Sequence, residues 1–323
     1  MSAARRQDPH GPAWTGRVVR LDARGCLVRL DEAHDELPGA GNELWCAVRG
    51  RHYRGARPGQ KTPAVVGDRV VVHWSGEDRG AIDHLEPRRT TLSRPSTRRE
   101  RVEHVMAANA DRVAIVSAAA DPIFNPALVD RILAVVEFSH LDAIVVVNKL
   151  DLVDEEPEEL DVYRELGYAV VATSVVDGRG IEALRDELAG RVTVVTGHSG
   201  VGKSSLLNAV QGGLGLAVGD VNEVTGRGTH TTTASTWVDL DVGGAVIDTA
   251  GIREFGLFGI PKREVPWLFR DIAKIAPECR YPDCSHTHEP GCAVLTAVED
   301  GRLADFRFDS YLKLLESLDE APQ

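Results

Sequence analysis

The chain is poor in cysteine and has no long apolar run. Its 323 residues include five cysteines, an odd number, and three of them lie close together in residues 279–292. This distribution argues against a disulfide framework and favours a metal site in a reducing compartment. No apolar stretch approaches the ~18 residues that a membrane-spanning helix requires. Residues 1–14 have Pro and Gly where a signal peptide would need apolar side chains, so we expect a cytoplasmic protein without a membrane partner.

Positive charge is scarce overall but not in the first hundred residues. The chain carries a net charge of −12, whereas residues 1–100 hold 18 Lys and Arg against 13 Asp and Glu, a net charge of +5. The other 223 residues hold 19 against 36, a net charge of −17. This asymmetry indicates a polyanionic partner for the basic part. Small basic domains are common, however, so charge alone leaves a role unrelated to nucleic acid open.

Short β-branched runs broken by turn residues fill residues 14–85. They suit a small five-stranded barrel, and the OB-fold is the architecture that fits them. Such barrels bind nucleic acid through basic and aromatic side chains. One segment supplies a cluster of these, namely Arg49, Arg51, His52, Tyr53 and Arg54. We expect Trp14 and Trp74 to pack in the core, and residues 86–104 to form a basic, polar connector.

Beyond Asp111 the apolar runs become continuous. The runs "RVAIVSAA", "AIVVVN", "YAVVATS", "VTVVTG" and "GAVIDTAG" are typical of strands buried on both faces. Helical stretches such as "NPALVDRILAVVEF" and "GIEALRDELAG" lie between most of them. This alternation predicts an α/β domain in which helices cover a parallel sheet.

The run "GHSGVGKS" at residues 197–204 fits the Walker A pattern, follows a predicted strand and opens an apolar helix. Backbone N–H groups of such a loop hold phosphates, a lysine reaches the outer phosphates, and a hydroxyl binds Mg²⁺. Lys203 and Ser204 occupy those two positions. The predicted phosphate-binding residues are Gly197, His198, Ser199, Gly200, Val201, Gly202, Lys203, Ser204 and Ser205.

A second motif, Asn148-Lys149-Leu150-Asp151, caps another predicted strand and indicates guanine recognition. One carboxylate can accept both neighbouring donors of guanine, the ring N–H and the exocyclic amine, and Asp151 supplies it. A buried Asp151 would stay unpaired against adenine, at a large energetic cost. Asn148 can hold the base and the loop together, and the Lys149 stem can cover the purine face. Ser174, after the next strand, suits a backbone contact to the guanine oxygen.

The order of these motifs is unusual because the base reader precedes the phosphate loop by about fifty residues. A circular permutation explains this order: it joins the old termini, opens the chain elsewhere and keeps the same three-dimensional site. With the chain opened after the second switch segment, that segment leads directly into the C-terminal part.

On these motifs the sequence resembles the RsgA (YjeQ) family, circularly permuted GTPases that act on the small ribosomal subunit. The resemblance runs from about Trp14 to about Glu316 and includes "GDRV", "LSRP", "NKLDL", "GHSGVGKSSLLN", "GRGTHTTT" and "DTAGIREFG". It implies a late maturation or checkpoint factor whose GTP hydrolysis is stimulated by the subunit and which contacts ribosomal RNA. It also implies a zinc-binding helical domain at the C-terminal end.

The resemblance also assigns the switch segments. Residues 226–233 become the first switch, in which Thr232 or Thr233 reaches Mg²⁺, while Asp248 holds a metal-bound water. The Gly251 N–H faces the γ-phosphate, and Ala250 replaces the proline of the family pattern.

Hydrolysis needs a group that orients the attacking water, and the usual glutamine after Gly251 is missing. Ile252 stands there and cannot orient water, so we expect slow unaided turnover. His230, beside the switch threonines, is the best catalytic candidate because neutral imidazole can accept a hydrogen bond or a proton from water. His230 could instead only pack the ordered switch.

The clustered cysteines form the pattern Cys279-x₄-Cys284-x-His286-x₅-Cys292. Three thiolates and an imidazole suit a closed tetrahedral Zn²⁺ site, which would be structural. His288 is an alternative by spacing alone, and the family resemblance favours His286. The surrounding segment is helical in character and too short for a large core, so the metal is needed for its stability.

We therefore predict a flexible N-terminus (1–13), an OB-fold RNA-binding domain (14–95), a circularly permuted GTP-binding domain (96–258) and a zinc-binding helical domain (259–323). The predicted reaction converts GTP and water to GDP and phosphate, with Mg²⁺ as cofactor, in a monomer. A signalling GTPase that never touches RNA is the main alternative. A kinase or ATPase is opposed by Asp151.

Overall fold

The computed structural model describes residues 13–22, 25–35, 37, 42–47, 64–95, 103–214, 235–249 and 260–319. Within these residues the chain forms a five-stranded barrel, an α/β sheet with helices, and a C-terminal helical unit. None of their helices is both long and apolar enough to cross a bilayer.

The barrel strands are β1 (Ala13–Asp22), β2 (Gly25–Leu30), β3 (Glu43–Ala47), β4 (Arg69–Gly76) and β5 (Arg79–Leu85). They are hydrogen-bonded in the order β1-β2-β3-β5-β4, and β4 pairs with β1 to close the barrel. All neighbours are antiparallel except β3 and β5. Alternate residues of each strand point inward, as Cys26, Val28 and Leu30 of β2 do. The predicted OB-like barrel is confirmed.

The tryptophans form a stack at one end of the barrel. Trp14 is buried and lies between His34, at a ring-centroid distance of 4.1 Å, and Trp74, at 5.9 Å. The prediction of core packing is therefore correct for Trp14, while Trp74 is half-buried. The basic cluster at residues 49–54 lies outside the described residues.

The described residues of the segment 86–104 include strand residues at both ends of the gap in the description. β6 (Thr91–Pro95) and β7 (Glu103–Ala108) form an antiparallel ribbon in which Leu92 pairs with Ala107. Both of these side chains are buried, and Ala107 also bridges to Val66 beside the barrel. The expectation of a plain polar connector was wrong, because a few buried apolar residues are enough to order an otherwise basic segment.

The α/β sheet contains β8 (Arg112–Ala118), β9 (Asp142–Asn148), β10 (Ala169–Ala172), β11 (Arg191–Gly197), β12 (Ser235–Asp239) and β13 (Gly244–Thr249). The strand order is β10-β9-β8-β11-β13-β12. All neighbours are parallel except the pair β12 and β13. The phosphate-loop strand β11 thus lies centrally although it comes fourth among these strands along the chain, as the permutation requires.

Four helices cover this sheet: α1 (Pro126–Phe138), α2 (Glu159–Glu165), α3 (Ile181–Leu188) and α4 (Lys203–Val210). The start of α1 is fixed by Asn125, whose side-chain oxygen accepts a hydrogen bond from the Leu128 N–H at 3.2 Å. Pro126 follows in the first helical turn, where it needs no N–H partner. Apolar clusters lie on both faces of the sheet, which explains the continuous apolar runs of its strands.

The C-terminal unit contains a 3₁₀ segment (Lys262–Leu268), α5 (Arg270–Ile275), a second 3₁₀ turn (Ala276–Glu278), α6 (Ala293–Glu299) and α7 (Asp305–Asp319). Its link to the α/β sheet is polar as well as apolar. The buried Arg307 of α7 pairs with Asp271 of α5, from Nε to Oδ2 at 2.7 Å, and with Asp130 of α1. Asp130 also accepts a hydrogen bond from the Tyr163 hydroxyl at 2.8 Å.

The barrel and the α/β sheet are continuous. β1 pairs in antiparallel fashion with β12, where Arg20 lies opposite Thr236, so that one sheet runs through both units. β12 would otherwise be the edge strand of the α/β sheet.

Candidate nucleotide site and metal centre

Four loop starts meet at the carboxyl edge of the parallel strands. Asn148 ends β9, Ser174 follows β10, Gly197 ends β11, and Asp248 lies near the end of β13. Ligands of open α/β sheets bind at this edge. The fold therefore brings together the phosphate loop, the base-reading motif and Asp248, which are up to 100 residues apart in sequence.

The phosphate loop needs glycine at two positions. Gly197 has φ 149°, and a Cβ there would lie 1.9 Å from the Val116 carbonyl oxygen. Gly202 has φ 93°, and a Cβ there would lie 2.4 Å from the Asn148 side-chain nitrogen. No other residue fits either position, because both backbone conformation and space exclude a side chain. Lys203 then begins α4, so that the loop ends at a helix N-terminus.

Lys203 and Asp248 lie close enough to influence each other's ionisation. Burial lowers the pKa of Lys203, and the Asp248 carboxylate opposes this shift. Burial raises the pKa of Asp248, and Lys203 opposes that shift. The Lys203 ammonium donates hydrogen bonds to the carbonyl oxygens of Gly197 at 2.9 Å and His198 at 2.8 Å. Ser204 and Ser205 are half-buried in the first turn of α4.

The base-reading motif is fastened to the phosphate loop. The buried Asn148 side chain donates a hydrogen bond from Nδ2 to the Val201 carbonyl oxygen at 2.9 Å. This contact between the two motifs goes beyond the sequence analysis, which assigned Asn148 to holding the base and the loop together. Because Asn148 also fills the space beside Gly202, the two loops fit against each other through one side chain.

Of the remaining residues of the motif, Lys149 and Leu150 contact other parts of the protein, whereas Asp151 faces solvent. Lys149 has a left-handed backbone with φ 65°, and its ammonium donates to the Asp121 carbonyl oxygen. Leu150 is buried beneath the loop. Asp151 is exposed and accepts a hydrogen bond from the Ser174 hydroxyl at 2.7 Å. Ser174 thus contacts Asp151 through its side chain.

Several predicted site residues lie outside the described residues. These are Gly251, the switch threonines Thr232 and Thr233, and the catalytic candidate His230. Of the predicted magnesium ligands, the structure places Ser204 and Asp248.

The C-terminal cysteines and histidine converge on one point. The ligand atoms of Cys279, Cys284, His286 and Cys292 all lie within 4.8 Å of one another. The His286 Nδ1 lies 3.4 Å from the Cys279 sulfur and 3.5 Å from the Cys292 sulfur. Three thiols and one imidazole at these separations fit a tetrahedral metal ion. The cluster could therefore hold a metal.

The choice between the two histidines follows from their surroundings. His286 is buried and faces the sulfur atoms, whereas His288 is exposed and its Nδ1 lies 2.8 Å from the Thr287 hydroxyl. His286 is therefore the imidazole of the cluster, in agreement with the family pattern.

Glu289 organises the loop that carries these ligands, a role that the sequence pattern did not reveal. Its carboxylate accepts hydrogen bonds from the Ser285 N–H at 2.7 Å, the Thr287 N–H at 3.1 Å and the His288 N–H at 3.2 Å. Burial alone would raise the pKa of Glu289, but hydrogen bonds from the Ser285 hydroxyl, the Ser285 N–H and the His288 N–H hold that pKa well below its usual range. From α7, the Tyr311 hydroxyl donates to the Ser285 carbonyl oxygen at 2.7 Å.

Comparison with known proteins shows the family. The model of the RsgA GTPase family matches residues 85–258. The small ribosomal subunit biogenesis GTPase RsgA of Chlorobaculum parvum is 46% identical over 266 residues, covering 79% of this chain and 85% of that protein. The protein of the same name from Pseudomonas aeruginosa is 42% identical over 316 residues, covering 96% of this chain and 87% of that protein. The chain belongs to the RsgA GTPase family.

Solved structures of this family share the whole architecture. The crystal structure of YjeQ from Thermotoga maritima is 30% identical and has a TM-score of 0.71, covering 96% of this chain and all of that one. The circularly permuted GTPase YloQ is 27% identical with a TM-score of 0.66, covering 99% of this chain. The RsgA-family resemblance, the permuted fold and the assignment as a GTPase are confirmed.

Proposed function

We propose that this RsgA-family GTPase binds the small ribosomal subunit and acts in the late maturation or assembly checkpoint of that subunit. In this proposal the protein is a monomer in the cytoplasm. The observation that carries the proposal is the similarity to relatives named small ribosomal subunit biogenesis GTPase, at 42–46% identity over most of the chain. The barrel, the phosphate loop at the carboxyl edge of the sheet and the Cys/His cluster of this chain are compatible with such a role.

GTP binds at the carboxyl edge of the sheet in this proposal. The loop 197–205 and Lys203 hold the phosphates, while Asn148, Lys149, Leu150, Asp151 and Ser174 form the guanine pocket, and the Gly251 N–H faces the γ-phosphate. Ser204, Asp248 and one of Thr232 and Thr233 hold Mg²⁺ directly or through water. The half-buried Ser204 and the Asp248 carboxylate, which lies within electrostatic reach of Lys203, fit this ion. When bound, Mg²⁺ would neutralise phosphate charge during hydrolysis.

The barrel contacts ribosomal RNA through its arginines. Two of the described barrel arginines, Arg29 and Arg69, pair with acidic residues, Arg69 with Asp31 at 2.5 Å. Beyond the last barrel strand, Arg88 pairs with Asp68 at 2.7 Å. Arg20 and Arg79 are exposed and make no ion pair with a described residue. Such side chains are available to bind phosphate groups, and this availability supports an RNA-facing surface.

Zinc occupies the Cys279, Cys284, His286 and Cys292 cluster and stabilises the C-terminal unit. The donor set of three soft sulfur atoms and an imidazole supports Zn²⁺ over a hard cation such as Ca²⁺. With all four positions taken by the protein, the ion would be structural.

The decisive experiment measures GTP hydrolysis with and without purified small subunits. We expect slow turnover by the protein alone and a strong increase on addition of subunits, together with co-sedimentation in the presence of a non-hydrolysable GTP analogue. Large subunits serve as the control. A turnover unaffected by small subunits, with no co-sedimentation, would contradict the proposed function and favour a GTPase of another pathway.

His230 supplies the group that positions the attacking water once the subunit orders the first switch. A correctly held general base contributes about 10² to 10⁴ in rate. His230→Ala should therefore keep nucleotide affinity and slow basal turnover but lose most of the stimulated turnover. Stimulated turnover at the wild-type rate in this variant would show that ribosomal RNA or another residue positions the water.

A further inference from the structure

The contact between barrel and α/β sheet lies beside the proposed magnesium site. Arg20 of β1 lies opposite Thr236 of β12, and Thr236 lies opposite Asp248 of β13. Asp248 in turn lies opposite Val195 of β11, two residues before the phosphate loop. One row of paired residues therefore leads from the barrel surface to Asp248 across a single intervening strand.

Side chains reinforce this pairing next to the row. The Arg17 guanidinium of β1 lies over the Trp237 ring of β12, 4.4 Å from its centroid. The Trp237 indole N–H donates to Asp239 Oδ1 at 2.8 Å, and Arg29 of β2 pairs with the same carboxylate. We call Arg17, Arg29, Trp237 and Asp239 the seam. Its two arginines come from the barrel, whereas Trp237 and Asp239 come from β12.

Within the seam, the contact of Arg17 with Trp237 is shielded from water, whereas the Asp239 side chain that pairs with Arg29 is 57% exposed. Trp237 is buried, and Arg17 is half-buried, where burial lowers its pKa while Asp31, Asp239 and Asp111 oppose that shift. A cation over an aromatic ring contributes more when it is removed from water than at an exposed position. Trp237 also lies opposite Ile247, the residue before Asp248, so a displacement of β12 is felt at β13.

We propose that the seam residues are positioning residues for the magnesium side of the nucleotide site. By fixing β12 against the barrel, they set the position of Asp248 relative to Lys203 and the phosphate loop. The barrel thereby influences how strongly Mg²⁺ tightens nucleotide binding, without contacting nucleotide itself. This inference rests on the proposed role of Asp248 and extends it to residues of another domain.

The test measures the affinity of a fluorescent GDP analogue in saturating Mg²⁺ and in EDTA, without ribosomes. Arg17→Gln and Asp239→Asn should reduce the Mg²⁺-dependent gain in affinity by about threefold to tenfold, the usual range for indirect coupling. Their affinity in EDTA should be unchanged, because the base pocket and Lys203 are intact. Arg17→Lys, which keeps a cation over the ring, should restore most of the gain.

Two further variants make the outcome decisive. Arg302→Gln breaks an ion pair with Asp300 in the C-terminal unit and should behave as wild type. Asp248→Asn should show the largest loss of the Mg²⁺ effect. A normal Mg²⁺ effect in both seam variants beside a reduced effect in Asp248→Asn would overturn the inference. An unchanged effect in Asp248→Asn would overturn it together with the Asp248 role, and an equal loss of affinity in EDTA would show a merely structural contact.

Discussion

Asp151 is the carboxylate that we propose reads the base, and neighbouring hydrogen bonds orient it. The Ser174 hydroxyl donates to one of its oxygens, and two backbone N–H groups, of Val176 at 3.2 Å and Asp177 at 3.3 Å, donate to that hydroxyl. The carboxylate is thus oriented by a chain of hydrogen bonds although it is exposed. Exposure without nucleotide means that base binding removes Asp151 from water, which makes its pairing selective.

Asp151→Asn should weaken GTP binding and shift preference toward xanthosine nucleotides. The xanthine ring carries an oxygen where guanine has its amine, and the introduced amide can donate to that oxygen. A buried polar group left unpaired costs ~1–3 kcal/mol, so the affinity for GTP should fall by about ten- to a hundredfold. Competition binding with GTP and XTP measures this change. Asp154→Asn, an exposed carboxylate in the same loop, is the matched control, and unchanged guanine selectivity in Asp151→Asn would remove Asp151 from its role.

Individual contacts of the site were predictable to different degrees. The meeting of the base-reading motif and the phosphate loop follows from the two motifs, because each has a known place on the sheet edge. The Asn148 hydrogen bond that joins them was not predicted. The contact of Lys149 with the Asp121 carbonyl was not predictable either, since it depends on the path of a loop 28 residues earlier.

At the scale of elements, the loop that carries Cys279, Cys284 and His286 is short and has no regular secondary structure of its own to order it. It lies between the 3₁₀ turn Ala276–Glu278 and α6, and its own backbone N–H groups are bound by the Glu289 carboxylate. Cys292 also serves as the N-cap of α6, where its sulfur accepts from the Leu295 N–H at 3.5 Å. Glu289 therefore orders the loop, while Cys292 belongs both to the Cys/His cluster and to the start of α6.

Purified protein should carry one zinc per chain, and His286→Ala should lose it while His288→Ala keeps it. The two variants are matched in chemistry and lie two residues apart, so their difference reports the ligand set. Cys284→Ser should also lose zinc and unfold the C-terminal unit first, because structural zinc contributes directly to folding free energy. Metal analysis and limited proteolysis measure both effects. Full zinc content in Cys279→Ser, Cys284→Ser and Cys292→Ser alike would exclude the cluster as a zinc site.

Strands and helices whose apolar residues recur regularly or form a continuous run were predictable from the sequence. Strands of mixed composition were not. The buried strands β8, β9, β11 and β13 correspond to the predicted runs, since a strand covered on both faces needs apolar residues throughout. The ribbon β6–β7 and the strand β12 have mixed composition and are ordered by partners distant in sequence, Val66 and β1 among them. Pattern alone carries no information about such partners.

At the scale of the whole molecule, Arg307 joins the C-terminal unit to the α/β sheet. Its side chain is 1% exposed and pairs with Asp130, which is 0% exposed, and with Asp271. A second contact lies nearby, where Arg270 donates to Glu137 Oε1 at 2.7 Å and stacks on the Tyr168 ring at 3.9 Å. Movements of the C-terminal unit should therefore be transmitted to α1.

Arg307→Met should destabilise the protein by about 3–5 kcal/mol, because it removes the cation that pairs with the buried Asp130 carboxylate and the partly buried Asp271 carboxylate. Arg302→Met is the matched control, since Arg302 is 51% exposed and pairs only with the nearby Asp300. An exposed pair of this kind contributes about 0–1 kcal/mol. Denaturant unfolding measures both. Equal stability of the two variants would show that the buried pair adds nothing to the interface.

The pairing of β1 with β12 has a consequence for solubility as well as for the nucleotide site. An open strand edge offers its unpaired N–H and C=O groups to any other chain, which makes it a template for self-association. Here the molecule's own barrel occupies that edge and covers the Trp237 ring beside it. A truncated form beginning after the barrel would expose both at once. We therefore expect the barrel to protect the α/β unit against self-association through this edge, independently of any binding partner.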